Sequence, residues 1–220
     1  MSNRRQVTVL GFSGICASLG LSLAPTGRVQ AGSFEDFFKA VELDDPSAVL
    51  RLLQRGFDGN SRDINGQPPL LLTMQSSAFK VADVLLQNPG LELEAANAAG
   101  ETALMMAALK GHTEWVGRLL DRGAKVDREG WSPLHYAASG SQSAAVALLL
   151  DRGASINARS PNGSTPLMMA ARYGVEASVR WLLQRGADAT LRNDRDLDAA
   201  GFARLAGREA LAGQLSKGSR

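Results

Sequence analysis

Four five-residue blocks recur along the chain without gaps: Gly66-Gln67-Pro68-Pro69-Leu70, Gly100-Glu101-Thr102-Ala103-Leu104, Gly130-Trp131-Ser132-Pro133-Leu134 and Gly163-Ser164-Thr165-Pro166-Leu167. Their leucines at 70, 104, 134 and 167 are 34, 30 and 33 residues apart. A second register keeps the same beat: five segments that begin with Leu-Leu close at Gly56, Gly90, Gly123, Gly153 and Gly186. A period of about thirty-three residues constrains the fold more than composition does. Each unit is too small to bury its own apolar face, so it is stable only when stacked on its neighbours.

Each unit reads as helix, break, helix, then a turn. Thr or Ser followed by Pro or Ala starts the first helix, because a hydroxyl caps free backbone N–H groups and proline fits the first turn. Small residues follow at Ala107-Ala108, Ala137-Ala138 and Ala170-Ala171, which lets helices approach closely, and a break comes at Gly111, Ser141 or Gly174. The second helix carries the Leu-Leu pair and ends at a glycine suited to a left-handed cap. The residues beyond it have extended-then-turn character and are expected to project as a hairpin finger.

The pattern resembles the ankyrin repeat, whose Thr-Pro-Leu-His-x-Ala signature appears as Ser132-Pro133-Leu134-His135-Tyr136-Ala137 and as Thr165-Pro166-Leu167-Met168-Met169-Ala170. The resemblance covers residues from about 34 to 216. It implies an all-α solenoid of helix-turn-helix units with β-hairpin fingers, with about five to six repeats filling 32–220. The first and last repeats are degenerate, as caps must be when one flank faces solvent. In the last repeat Ala200 stands where the leucine belongs, which predicts the least stable unit. Asn88-Pro89 lengthens the exit from the second helix that ends near Gly90. Between Gly123 and Gly130 the chain is three residues shorter than between Gly153 and Gly163. That predicts a truncated finger and a notch just before Trp131.

The first 31 residues have a different character. Arg4-Arg5 precede a mildly apolar run from Val7 to Ala24, and Val29-Gln30-Ala31 puts slim residues before Gly32. This is the layout of a secretory signal peptide cut after Ala31, which predicts a periplasmic or secreted chain with no membrane insertion after cleavage. A cut near Ala24, an uncleaved anchor and twin-arginine export are the alternatives. Cys16, the only cysteine, falls inside this segment, so the mature chain is expected to carry no thiol.

The formal charge is +2, yet without Arg4, Arg5 and Arg28 the chain holds 21 basic against 22 acidic residues. Such balance argues against nucleic acid, whose binding proteins usually carry a basic stripe. His112 and His135 both occupy positions the family uses for structure, and neither a metal cluster, an activated nucleophile nor a phosphate-binding loop can be assembled from the motifs. The methionine pairs 105-106 and 168-169 recur at equivalent positions, which marks packing rather than ligation. The sequence therefore predicts a non-enzymatic protein without cofactor or metal, monomeric, whose partner is another protein.

The resemblance also implies where contact occurs: finger tips, the residue between Gly and Thr-Pro, and the two residues after the alanine pair. The first of these middle positions carries Gln67, and its counterparts are Glu101, Trp131 and Ser164. The post-alanine pairs are Leu109-Lys110, Ser139-Gly140 and Arg172-Tyr173. Trp131 and Tyr173 are expected anchors, since aromatics without a packing duty concentrate binding energy; Trp131 filling the space over the short finger is the competing role. Trp115 and Trp181 are both expected to be core. The expected function is binding or scaffolding of an exported partner through the concave surface. The alternative is an effector, inhibitor or immunity protein directed at a foreign target.

Overall fold

The structure, a computed structural model, describes residues 26–217. Within it twelve helices form six antiparallel pairs: α1 (Thr26–Glu42) with α2 (Pro46–Gln54), α3 (Pro69–Ser76) with α4 (Phe79–Gln87), α5 (Ala103–Lys110) with α6 (Thr113–Asp121), α7 (Pro133–Ser139) with α8 (Ala144–Asp151), α9 (Pro166–Arg172) with α10 (Glu176–Gln184), and α11 (Ala199–Leu205) with α12 (Glu209–Lys217). The odd-numbered helices pack in series as an inner layer, and the even-numbered helices lie outside them. The expected signal segment lies largely outside the described residues. α1 begins at Thr26 and so runs through the position between Ala31 and Gly32.

The core runs through the stack as one apolar seam. Leu70, Leu104, Leu134 and Leu167, the repeated leucines, are each buried, as are the alanine pairs behind them. The helix starts follow the capping logic of the sequence. Thr102 Oγ1 accepts from Met105 N–H, Thr165 Oγ1 from Met168 N–H, and Asp198 from Gly201 N–H, so each first turn has an orphan donor satisfied. Asp45 caps α2 by accepting from Ser47 and Ala48 N–H, while neighbouring Asp44 reaches the next unit and accepts from Val81 N–H at 2.9 Å.

Three local readings are corrected. Gly90 does not cap α4: that helix ends at Gln87, and Asn88 is extended at ψ 118° because the following proline disfavours helical backbone. The fingers are turns rather than β ribbons among the described residues. Each full finger closes with a pair of backbone bonds: one from Asp63 N–H to Gln67 C=O, Asn97 to Glu101, Ser160 to Ser164 and Asn193 to Leu197, and one across the turn, from Gly66 N–H to Asp63 C=O, Gly100 to Asn97, Gly163 to Ser160 and Asp196 to Asn193. A single isolated bridge, Ala96 with Thr102, is the only strand-like pairing there. The shortened loop 124–130 shows no equivalent closing bond. Finally, Trp181 is not core: it is 37% exposed with the Arg185 guanidinium 5.4 Å from its ring centre, whereas Trp115 is buried and stacked on Phe79.

Outside, charged pairs connect successive units: Asp83 with Arg118, Asp121 with Arg152 at 2.9 Å, and Asp151 with Arg185 at 2.8 Å. These side chains are substantially exposed, so each pair contributes no more than about 1 kcal/mol. At the C-terminal end the Arg208 guanidinium binds three carbonyl oxygens, those of Ala170, Ala171 and Gly174, at 2.9–3.2 Å. In α11 both Ala200 and Phe202 are buried. Among the described residues no helix is long and apolar enough to cross a membrane.

Candidate functional site

The concave face is set by register. Counting from each cap, Leu72, Met106, Tyr136 and Met169 occupy one equivalent position on α3, α5, α7 and α9. Around the middle of this row Leu109, Trp131, His135, Tyr136, Ser139 and Met169 line a cleft of about 230 Å³, walled mostly by apolar atoms. It lies beside the shortened finger, which ends at Trp131.

His135 builds the cleft's floor. Its Nε2–H donates to Ser164 C=O at 3.0 Å, and Nδ1 accepts from Ser132 N–H at 3.2 Å and from Ser132 Oγ–H at 2.9 Å. This pattern satisfies a neutral ring with its hydrogen on Nε2, and burial pushes the imidazole below its ordinary value in the same direction. The histidine therefore ties the fourth unit to the finger that leads into the fifth. Trp131 rests edge-on against it, with ring centres 5.3 Å apart. His112 has a comparable duty: Nε2 lies 3.2 Å from Met74 C=O and 3.3 Å from Ser77 Oγ, its ring edge-on to Phe79.

A polar ladder runs beside the cleft. Asn97 Nδ2 donates to Gln67 Oε1 at 3.2 Å and to Glu101 Oε2 at 2.8 Å, and Tyr136 O–H donates to Glu101 Oε1 at 3.0 Å. Burial first, and this carboxylate second, drive the Tyr136 phenol well above its ordinary value, so it stays a donor. Gln67 and Glu101 thus hold fingers and helix in register, with part of each side chain still at the surface.

The eight candidate contact residues separate accordingly. Leu109 and Trp131 meet in the cleft. Tyr173 is 56% exposed at the end of α9 with the Arg172 guanidinium 5.0 Å from its ring centre, and it does not line the cleft. Lys110 is exposed at the end of α5. Ser164 is a correction: it is buried because the next finger covers it, with Asn193 Nδ2 donating to its Oγ at 3.3 Å, so its side chain is not on the contact surface. Tyr136 and Met169 went unpredicted, although their place three residues past each Pro, next to the repeated His or Met, is itself periodic. Among the described residues no group of three His, Cys, Asp or Glu side chains is placed to hold a metal.

The chain's likenesses agree with this architecture. Solved structures overlap most of it. One, of a predatory endopeptidase from Bdellovibrio bacteriovorus in complex with an immunity protein, matches with a TM-score of 0.71 and 29% identity, covering 83% of this chain and 97% of the matched one. The ankyrin repeat domain of Bcl-3 matches with a TM-score of 0.67 and 32% identity over 81% of this chain and 79% of that one. Among sequences, human neurogenic locus notch homolog protein 2 is 36% identical over 110 residues, which are 49% of this chain and 4% of that protein. The chain thus spans only a small part of the length of such relatives. A family model for ankyrin repeats, in three copies, matches residues 37–129 and 124–193, and with the twelve paired helices it establishes that the chain belongs to the ankyrin repeat family.

Proposed function

We propose that this chain is a protein-binding inhibitor of the immunity type, which occludes an exported endopeptidase by seating part of it against the concave cleft. The observation that carries the reading is the likeness that spans 97% of an ankyrin chain crystallised with a protease. An inhibitor fits the geometry well. The cleft is small, apolar and preformed by the His135 and Glu101 networks, so little ordering is needed on binding. Trp131, Leu109 and Met169 offer the anchor surface, and Lys110, Arg172 and Tyr173 form an outer rim along the same layer.

Export belongs to the same proposal: an inhibitor must meet its enzyme in the enzyme's compartment, and the basic, apolar leader with Val29-Gln30-Ala31 before Gly32 supplies the address. The test adds purified chain to an envelope extract and follows endopeptidase activity. Activity is expected to fall with increasing chain and to be restored when Trp131→Ala replaces it, with enzyme and chain co-eluting on size exclusion. Unchanged activity together with no co-eluting peptidase would overturn the proposal.

A further inference from the structure

At the N-terminal end of the concave face lies a second and larger groove, of about 690 Å³, between α1, α3 and the first finger. Its floor is apolar, from Phe34, Phe38, Val41 and Leu72. Its lip is Ile64, which projects from the finger tip 90% exposed. An isoleucine left this open forgoes the transfer free energy that burial would provide, and it has no packing duty in the unit. The corresponding finger positions hold Ala98, Pro161 and Asp194, so this tip alone among the full fingers presents a large aliphatic side chain.

The rim has a definite sign. Glu35, Glu42 and Asp63 line the groove against a single Lys39. Asp63 Oδ1 accepts from Asn65 and Gln67 N–H, which fixes the carboxylate at the mouth without neutralising it. Low-dielectric walls beside carboxylates favour a cation at the entrance.

We infer that this groove is a docking site for a partner segment in which a large apolar side chain is flanked by Lys or Arg: the apolar group enters between Phe38, Leu72 and Ile64, and the cation pairs with Glu35 or Glu42. Register connects the groove to the central cleft, because Leu72 stands where Tyr136 and Met169 stand. With inner helices packed at 8–10 Å, the two sites lie about 20–30 Å apart. An extended segment of about eight residues spans that distance. The groove thus supplies the sign of the partner surface, and the cleft its aromatic anchor.

The inference rests on the protein-binding reading, but its assay contains no peptidase. A labelled peptide of about six residues, short enough to fill the groove alone, alternates leucine with lysine; its counterparts alternate leucine with glutamate and serine with lysine. Anisotropy titrations use the full chain. The leucine–lysine peptide is expected to bind at least about tenfold more tightly than either counterpart. Ile64→Ser and the double change Glu35→Gln, Glu42→Gln are each expected to weaken it at least roughly threefold, the latter also flattening its salt dependence. Equal binding of the glutamate peptide, or indifference to Ile64→Ser, overturns the groove. Inhibition of the peptidase that persists alongside such indifference overturns the groove only; peptide discrimination without any inhibition overturns the peptidase and leaves the groove standing.

Discussion

The fourth and fifth units satisfy one geometric demand by different chemistry. His135 and Met168 occupy the same register, three residues after the caps Ser132 and Thr165, and both are buried. The histidine fastens its unit to the next finger through a directed bond to Ser164 C=O. The methionine fills the equivalent space, its sulfur 3.3 Å from Thr165 N, with no tie to the following unit among the described residues. A joint in this stack can thus be held by polar geometry or by packed volume. Only the polar joint titrates, and only that joint borders the cleft.

The comparison breaks most severely at the packed joint. Met168→Ala removes a buried side chain with no polar substitute and is expected to cost about 3 kcal/mol, read as a lowered midpoint in urea unfolding. His135→Ala comes next, at about 2 kcal/mol, because Ser164 C=O and Ser132 N–H lose their partner in a buried place. His135→Met transplants the fifth unit's solution into the fourth. It is expected to recover the volume but not the bond, and so to fall between wild type and His135→Ala.

The pH response sharpens the same contrast. Burial lowers the folded value of His135 below the ordinary 6.5, so the unfolded chain binds more protons once pH falls below that value. The stability this group contributes is complete above about pH 6.5 and is lost as pH falls through its lowered folded value. Thermal midpoints of the wild type are expected to drop across that window, and His135→Met to flatten the drop. Part of the slope persists, because burial shifts His112 the same way. Smaller still is Tyr136→Phe, which leaves the ring in the cleft and removes its bond to Glu101, at about 1 kcal/mol. Smallest in stability is Trp131→Ala, at about 0.5 kcal/mol for a partly buried side chain at the surface of the cleft, read in circular-dichroism melts. Its effect is expected in binding instead.

The layering was legible in the sequence because leucines and alanines recur with the period that stacking needs, and burial follows them closely. Rotation about each helix axis was less so, as the two tryptophans show. α6 buries Trp115, Val116 and Leu119, and α10 buries Ser178, Val179 and Leu182. In that register Trp181 matches the half-exposed Arg118, so its exposure could have been read by aligning the helices rather than by noting the adjacent leucines. Ser164 was misplaced for a different reason: it shares a position with Trp131 but is small, and the next finger carries Asn193 over it, where the finger next to Trp131 has the shorter Ser160 at that position. What covers a residue in a solenoid depends on the next unit's loop, which a single unit's pattern does not contain. Ile64 was missed because the finger tips of this chain differ from one another, so only its exposure in the structure separates it from a buried aliphatic.

The Arg208 cap carries a consequence for how such a chain changes over generations. Its guanidinium reads three main-chain carbonyls and no side chain of the preceding unit. Every unit of this kind ends its first helix with free carbonyls, so the polar part of this closing contact does not depend on which side chains the preceding unit carries. A side chain that changed in the preceding unit would leave this hold intact, so the end of the array is tied down on its neighbour's main chain, as the joint at His135 is tied on Ser164 C=O.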